Sequence, residues 1–327
     1  MEQPLVTVAV PTYNRSAMLR NTLEGLLAQE TGAGLSYEVL VLDDASTDDT
    51  PAVIAAMARE APVPVRYILA AGRGYTHVLN RAVAEFAGQW LAFFDDDQLA
   101  GPGWLQALYT AAREQGAEMV GGPVVLDIPG TVLASLGPVC RDLYGESPDV
   151  REPERYRHSP PLPSGGNRLV HRRVFERVGT FDEAMLTGGC DRDFLLRALA
   201  AGVVMGWAPG AVARHVISAD RFSAAHMRSY SLQWGCSFAH IDRKRWGMVR
   251  TTLACVARMG QAALIHFPCA LAARIRGDRR ELRDREVLLW RAQGYVRKTL
   301  QMLLPSLCAQ ERFFAAVEFR RVRPEGS

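Results

Sequence analysis

The sequence predicts an α/β fold: a mostly parallel central sheet flanked by helices, followed by a helical tail. Three observations predict it. Strand-like and helix-like runs alternate through residues 5–126. Short polar segments, several rich in carboxylates, follow directly on apolar runs. Charge is also divided along the 327 residues: from Val216 to the end there are 20 Lys+Arg and 9 Asp+Glu, a balance of +11, whereas residues 1–215 carry −8, giving the net +3. An acidic front and a basic back point to two jobs, and two regions are expected, 1–216 and 217–327.

The elements follow in order. LVTVAV (5–10) is a short β-rich run. In RSAMLRNTLEGLLAQE, Met18, Leu19, Leu23, Leu26 and Leu27 fall at helical spacing. YEVLVLDD (37–44) is a second strand. Thr50-Pro51 reads as an N-cap with proline at the first helical position, opening AVIAAMARE. VRYILA (65–70) is a third strand, HVLNRAVAEFA (77–87) a helix and QWLAFF (89–94) a fourth strand. WLQALYTAAREQG (104–116) is a helix and AEMVGGPVVL (117–126) one further strand. Such alternation builds βαβ units with right-handed crossovers. Ligands of these sheets sit beyond the carboxyl ends of the strands. PTYN, DDAST and DDD each follow an apolar strand and should therefore meet on one edge.

Residues 127–164 are rich in Pro and Gly and read as a long functional loop region. RRVFERVGTFDEAML and CDRDFLLRALAAG add one or two helices. In the tail, the uncharged stretch Met259 to Ala273 is shorter than the ~20 residues that a spanning helix needs. A dense Arg cluster, RIRGDRRELRDREVLLWRAQGYVRKTL, follows as a helix.

Composition excludes several classes. The apolar fraction of 48% and the charged fraction of 22% are ordinary for a folded protein. Six scattered cysteines (140, 190, 236, 255, 269, 308) form no CxxC pair, which argues against structural zinc and against a compact disulfide framework. MEQPLVTVAVPTYNR lacks a basic segment followed by a long apolar one, so no signal peptide is expected, and reduced thiols in a cytoplasm are the simplest reading. No GxGxxG opens a helix, which disfavours a dinucleotide enzyme, and no Gly-rich phosphate loop follows the first strand.

The carboxylates carry the chemistry. In an extended strand Asp95 and Asp97 point to one side and Asp96 to the other. Two carboxylates that close repel unless a cation intervenes, and a hard divalent ion takes such ligands together with phosphates. A solvated acidic loop is the alternative for an isolated triplet. Tyr13 can offer a ring face to a base. Asp44 can accept the N3–H of a uracil, a hydrogen that cytosine lacks, or it can serve a local turn. Asp191 and Asp193 open a helix, as first-turn acids or as a general base. His215 is a metal ligand or an ordinary histidine.

Taken together and in order, VAVPTYNR, VLDDASTDDT, FFDDDQLAGPGWL, GGNRLVHRRVFERVGTFDEAML, GGCDRDFLLRALAAG and WAPGAVARHV resemble a family 2 glycosyltransferase of the GT-A fold, over roughly residues 4–216. The resemblance implies an inverting, metal-dependent transferase that moves a sugar from a nucleotide-diphosphate sugar, a UDP-sugar being the expected donor. The acceptor would be a hydroxyl of a glycan or lipid-linked acceptor in cell-surface polysaccharide synthesis. It implies that Pro11, Thr12 and Tyr13 line the base pocket, that Asp44 binds uracil, and that Asp95, Asp96 and Arg73 contact the nucleotide. Asp95 and Asp97, with His215, would hold Mn²⁺ or Mg²⁺. Asp191 would be the base, and Trp104, Gly165, Gly166, Asn167 and Asp193 would border sugar and acceptor. The chain departs from the family pattern at Ala45 (Gly is usual, with little expected consequence), Leu79 (often Arg), Gln98 (often a fourth acid) and Cys190 (often Glu). These departures motivate the alternative of an inactive nucleotide-sugar-binding scaffold. The basic tail suggests peripheral contact with an anionic membrane on its cytoplasmic face, or a helical homodimerisation element. Nucleic acid is not an expected partner, because the positive charge lies outside the pocket.

Overall fold

Every residue of Val6–Thr12 (β1) and of Tyr37–Asp43 (β2) is buried, as expected of strands covered on both faces. The computed structural model describes residues 4–163, 165–185 and 188–305. Between β1 and β2 runs Ser16–Leu27 (α1), whose Leu19, Leu23 and Leu26 are fully buried. Thr50–Glu60 (α2), Val65–Leu69 (β3), Tyr75–Glu85 (α3) and Trp90–Phe94 (β4) continue the alternation. Gln98–Ala100 (β5), Trp104–Glu114 (α4), Met119–Gly121 (β6) and Val124–Asp127 (β7) follow. Four short helices come next: Gly130–Ser135 (α5), Pro138–Leu143 (α6), Pro148–Arg151 (α7) and Pro153–Tyr156 (α8). Asn167–His171 (β8), Arg172–Val178 (α9), Cys190–Ala200 (α10), Met205–Trp207 (β9) and Ala213–Val216 (β10) complete this part.

The main sheet has seven strands in the order β3-β2-β1-β4-β8-β6-β9. β3, β2, β1 and β4 are parallel neighbours, and β8 runs antiparallel to both β4 and β6. A second sheet of three strands has the order β5-β10-β7. Val6, Val8 and Val10 alternate onto one face of β1 and share a core with Leu19, Leu23 and Leu26 of α1 and with Trp104, Leu105 and Leu108 of α4. Burying each such side chain contributes about 1.5–3 kcal/mol.

Three expectations change. Residues 117–126 are two strands in two sheets, not one. The break falls at Gly122-Pro123, where a Cβ on Gly122 would lie 2.3 Å from the carbonyl oxygen of Ala211 and Pro123 lacks an N–H for the ladder. Thr50 is the first helical residue and not the N-cap; Asp49 precedes it, and the Thr50 amide donates to Asp48 Oδ1 at 3.0 Å. The Pro-rich segment 127–164 contains helices because three of its prolines stand at helix starts, where a missing N–H costs nothing.

The described residues form two compact units. One comprises 4–127, 145–183 and 190–216 and holds both sheets. The other comprises 128–144, 184–189 and 217–305. It is built on Ala224–Gln261 (α11), a π-helical turn at Ala262–His266, Phe267–Arg276 (α12) and Arg279–Leu303 (α13). α11 is interrupted at Gly247, whose φ of +75° lies outside the helical region. The chain reverses there: Arg258 and Asp242 are 3.7 Å apart, although 16 residues of straight helix would separate them by ~24 Å. Asp284 of α13 caps α6 from within this unit, accepting from the amides of Val139 (3.2 Å) and Cys140 (2.9 Å).

Candidate active site

β1, β2 and β4 are parallel, so their carboxyl ends open on the same edge. The loops leaving β1 and β2 are tied together. Asn14 Oδ1 accepts from the Thr47 amide at 2.7 Å, and the Asn14 amide donates to Ser46 Oγ at 2.8 Å. Pro11 and Thr12 are buried at the end of β1 and Tyr13 is half-buried beyond it. Asp43 is consumed by structure: its Oδ1 accepts from the Ser46 amide (2.8 Å) and its Oδ2 from the Tyr67 hydroxyl (2.9 Å). Asp44 accepts from the Gly74 amide at 3.0 Å, which joins this loop to the start of α3. Ala45 sits at φ +64°, the left-handed region that glycine adopts without strain. The substitution expected to matter little therefore falls at a strained position.

The Asp95–Asp97 triplet is a turn between β4 and β5, not an extended strand end; the Gln98 amide donates to the Asp95 carbonyl at 3.1 Å. Thr22 of α1 holds the turn, its hydroxyl lying 2.9 Å from the carbonyl of Asp96 and 2.8 Å from that of Gln98. Asp96 faces inward. It accepts from Thr12 Oγ1 at 2.8 Å and from Arg15 Nη1 at 2.7 Å, so it fixes the loop after β1. Arg15 also donates to Asp97 Oδ2 at 2.9 Å, and His215 Nε2 lies 3.4 Å from the same oxygen. β10 brings His215 there by pairing with β5, His215 opposite Gln98. The charge of Asp96, and then that of Asp97, raises the Arg15 pKa despite its burial.

Asp95 is the electrostatically costly group. Burial, and next the charges of Asp97 and Asp191, push its carboxyl up to about 7. The Tyr75 hydroxyl donates to its Oδ1 at 3.3 Å. Gly166 makes room for it, since a Cβ there would lie 2.1 Å from Asp95 Oδ2. Gly165 before it has φ +66°. Asp191 opens α10, and its carboxylate is paired to Arg168 of β8, a fully buried guanidinium stacked over Phe93 (4.7 Å) and Phe181 (5.3 Å). Cys190 is a buried thiol pushed up to about 12 by burial, and so inert beside Asp191.

Other expected residues lie elsewhere. Trp104 and Asn167, expected to border sugar and acceptor, are each 1% exposed and lie in the interior. Trp104 Nε1 donates to Asn167 Oδ1 at 2.8 Å, and the Asn167 amide donates to the carbonyls of Pro123 (3.0 Å) and Ala211 (2.9 Å). They hold the Gly165-Gly166 turn in place from the interior. Asp193, 3% exposed, accepts from Arg197 Nε at 2.8 Å within its own helix, and so braces α10. Arg73 is largely exposed and 3.5 Å from Glu183. Leu79 is a core residue, 1% exposed.

Three residues important to the edge were not singled out from sequence: Arg15, Tyr75 and Arg168. Arg168 had a signal, being a charged residue within a strand whose other inward positions are apolar. Arg15 and Tyr75 had none, because their partners are 20 to 82 positions away in sequence.

Among the described residues no three His, Cys, Asp or Glu side chains converge as a metal cage by themselves. At the turn His215 Nε2 and Asp97 Oδ2 are 3.4 Å apart, and Asp95 lies near enough for the charges of Asp97 and His215 to act on its carboxyl.

The mixed sheet with parallel strands at its centre matches the GT-A fold of glycosyltransferases. Residues 7–179, just over half of the chain, match the family described as Glycosyl transferase family 2, and the chain belongs to that family. It is 25% identical over 279 residues to the succinoglycan biosynthesis protein ExoM of Rhizobium meliloti (strain 1021), covering 81% of this chain and 86% of that one. It is 38% identical over 110 residues to validoxylamine A glucosyltransferase of Streptomyces hygroscopicus subsp. limoneus, covering 33% of this chain; the match spans only 24% of that enzyme's length. The fold is shared with a mannosyltransferase from Pyrobaculum calidifontis solved in complex with GDP-Man and Mn²⁺, with a TM-score of 0.57 at 20% identity over 90% of this chain and 88% of that one.

Proposed function

We propose that the chain is an inverting glycosyltransferase that moves a sugar from a nucleotide-diphosphate sugar to a hydroxyl of a growing or lipid-linked glycan on the cytoplasmic side of a membrane. The observation that carries this is the meeting of Asp95, Asp97 and Asp191 on one sheet edge, close enough for the charges of the last two to raise the first. Membership of family 2 and the relative in succinoglycan biosynthesis support polysaccharide synthesis as its setting.

Pro11, Thr12 and Tyr13 form the wall against which a base stacks, and Asp44 accepts the N3–H of uracil. A UDP-sugar is accordingly the first donor to test, although the solved mannosyltransferase holds GDP-Man. Asp95, Asp97 and His215 would hold Mn²⁺ or Mg²⁺, which would supply charge stabilisation to the departing diphosphate. Asp191 takes the proton from the acceptor hydroxyl as that oxygen attacks the anomeric carbon and the bond to the diphosphate breaks on the opposite face. Arg168 fixes the orientation of that carboxylate. Asp191 suits the role better than Asp193, which is buried and held by Arg197.

The test is calorimetric titration of nucleoside diphosphates with and without Mn²⁺. Metal-dependent binding of one nucleotide, lost in Asp97→Asn, is expected; equal affinity in both proteins would remove the metal assignment.

A further inference from the structure

Among the described residues, the second unit leaves one long apolar face uncovered. After the reversal at Gly247 the chain runs helically to Arg276, and opposite sides of this segment differ. One side carries Thr251, Cys255, Ala270 and Ala273, all buried, together with Arg258, which stacks 4.5 Å over Tyr295 of α13. The other side carries Val249 (76% exposed), Leu253 (65%), Leu264 (80%), Phe267 (61%), Leu271 (51%) and Ile275 (78%). The gaps between them, 4, 11, 3, 4 and 4 residues, are each close to a whole number of helical turns. They run along 26 residues, ~39 Å of helix, through the π-helical turn at Ala262–His266. An apolar stripe of that length far exceeds the isolated exposed residues normal for a soluble surface.

Charge indicates what covers it. From Arg243 to Gly277 there is no Asp or Glu, and there are seven Lys and Arg. The exposed basic residues gather at both ends of the stripe: Arg243, Lys244, Arg245 and Arg250 at one, Arg274 and Arg276 at the other. A second copy seated on this face would set basic ends against basic ends. An anionic headgroup layer meets them with opposite charge.

Ala224–Arg276 contains a window long and apolar enough to cross a bilayer, only 11% of it buried. α13, however, packs along the inner side of this segment, with Arg285 Nη1 3.5 Å from His266 Nδ1. Crossing would carry the Arg- and Glu-rich start of α13 into hydrocarbon, at about 2.5–3.5 kcal/mol per charged side chain. Lying in the interface buries the stripe and leaves α13 in water.

We infer that residues 249–275 form an in-plane membrane-docking face for an anionic phospholipid bilayer. This goes beyond the transfer chemistry, and its test needs neither donor nor metal, so its failure would leave the proposed reaction standing. The full-length protein is sedimented with vesicles of phosphatidylcholine alone and with 30–40% phosphatidylglycerol added (about that fraction of anionic lipid giving a strong surface potential). Binding to the anionic vesicles that weakens with salt is expected. Leu264→Glu with Phe267→Glu, both outward-facing and with helicity checked by circular dichroism, should lower the partition coefficient about 100-fold. Arg274→Gln with Arg276→Gln should weaken binding and flatten its salt dependence. No binding of the wild type at low salt would overturn the inference. So would a lipid-free dimer, seen by sedimentation velocity, that the Leu264/Phe267 variant dissolves.

Discussion

Asp95→Asn should make the metal-free protein more stable at neutral pH while weakening its metal-dependent nucleotide binding. The carboxyl of Asp95 is raised from 3.8 to about 7, by burial first and then by Asp97 and Asp191. The folded state therefore holds a proton that the unfolded state releases between those two values. Stability conferred by the protonated form is complete below pH ~4 and is lost as pH rises toward 7. A shift of about three units corresponds to ~4 kcal/mol at most. Because the side chain is only partly buried, the expected gain for the neutral Asn at pH 8 is nearer ~2 kcal/mol. The Tyr75 hydroxyl can still donate to the Asn Oδ1, so no new unpaired group is created. Urea denaturation with a chelator, at pH 4.5 and pH 8 (about the two ends of the titration), reads this directly. The midpoints should nearly coincide at the lower pH and separate at the higher, and millimolar Mn²⁺ should then favour the wild type. A variant less stable than wild type at pH 8, or a gap independent of pH, would refute the reasoning.

Two further substitutions probe the same edge. Gly166→Ala would place a Cβ 2.1 Å from Asp95 Oδ2 and 2.2 Å from its Cγ, so the carboxylate must swing away. Thermal stability should change little, because only a side-chain end moves, whereas Mn²⁺-dependent nucleotide affinity should fall about 10-fold or more by titration calorimetry. Ala45→Gly should stabilise the front unit by about 0.5–1 kcal/mol in a urea titration, since φ +64° strains any residue with a Cβ; a loss of stability would show that the loop tolerates Ala without cost.

Much of the front unit was legible because its signals are local. Alternating buried strands and the leucine spacing of α1 follow from side-chain periodicity, and the acids after β2 and β4 follow from strand ends. What could not be read depends on distant partners. Nothing near Asp96 in sequence shows that Thr12 and Arg15 will claim it. The family resemblance sets Trp104 and Asn167 at the sugar and acceptor site, and the structure shows them hydrogen-bonded to each other in the interior. The single strand expected over 117–126 failed at Gly122-Pro123, where close approach of the Ala211 backbone decides the path. The tail resisted because Arg258, His266 and Pro268 interrupt its apolar run, and only the folded segment after Gly247 shows which apolar positions stay exposed.

The most direct test of the account is acceptor-dependent release of nucleoside diphosphate from a panel of nucleotide-sugars with Mn²⁺, comparing wild type with Asp191→Asn. The account predicts release with one donor class in the wild type. It predicts at least a 100-fold lower rate in the variant (about the contribution expected of a general base), with nucleotide affinity unchanged. Transfer by Asp191→Asn at the wild-type rate would contradict it.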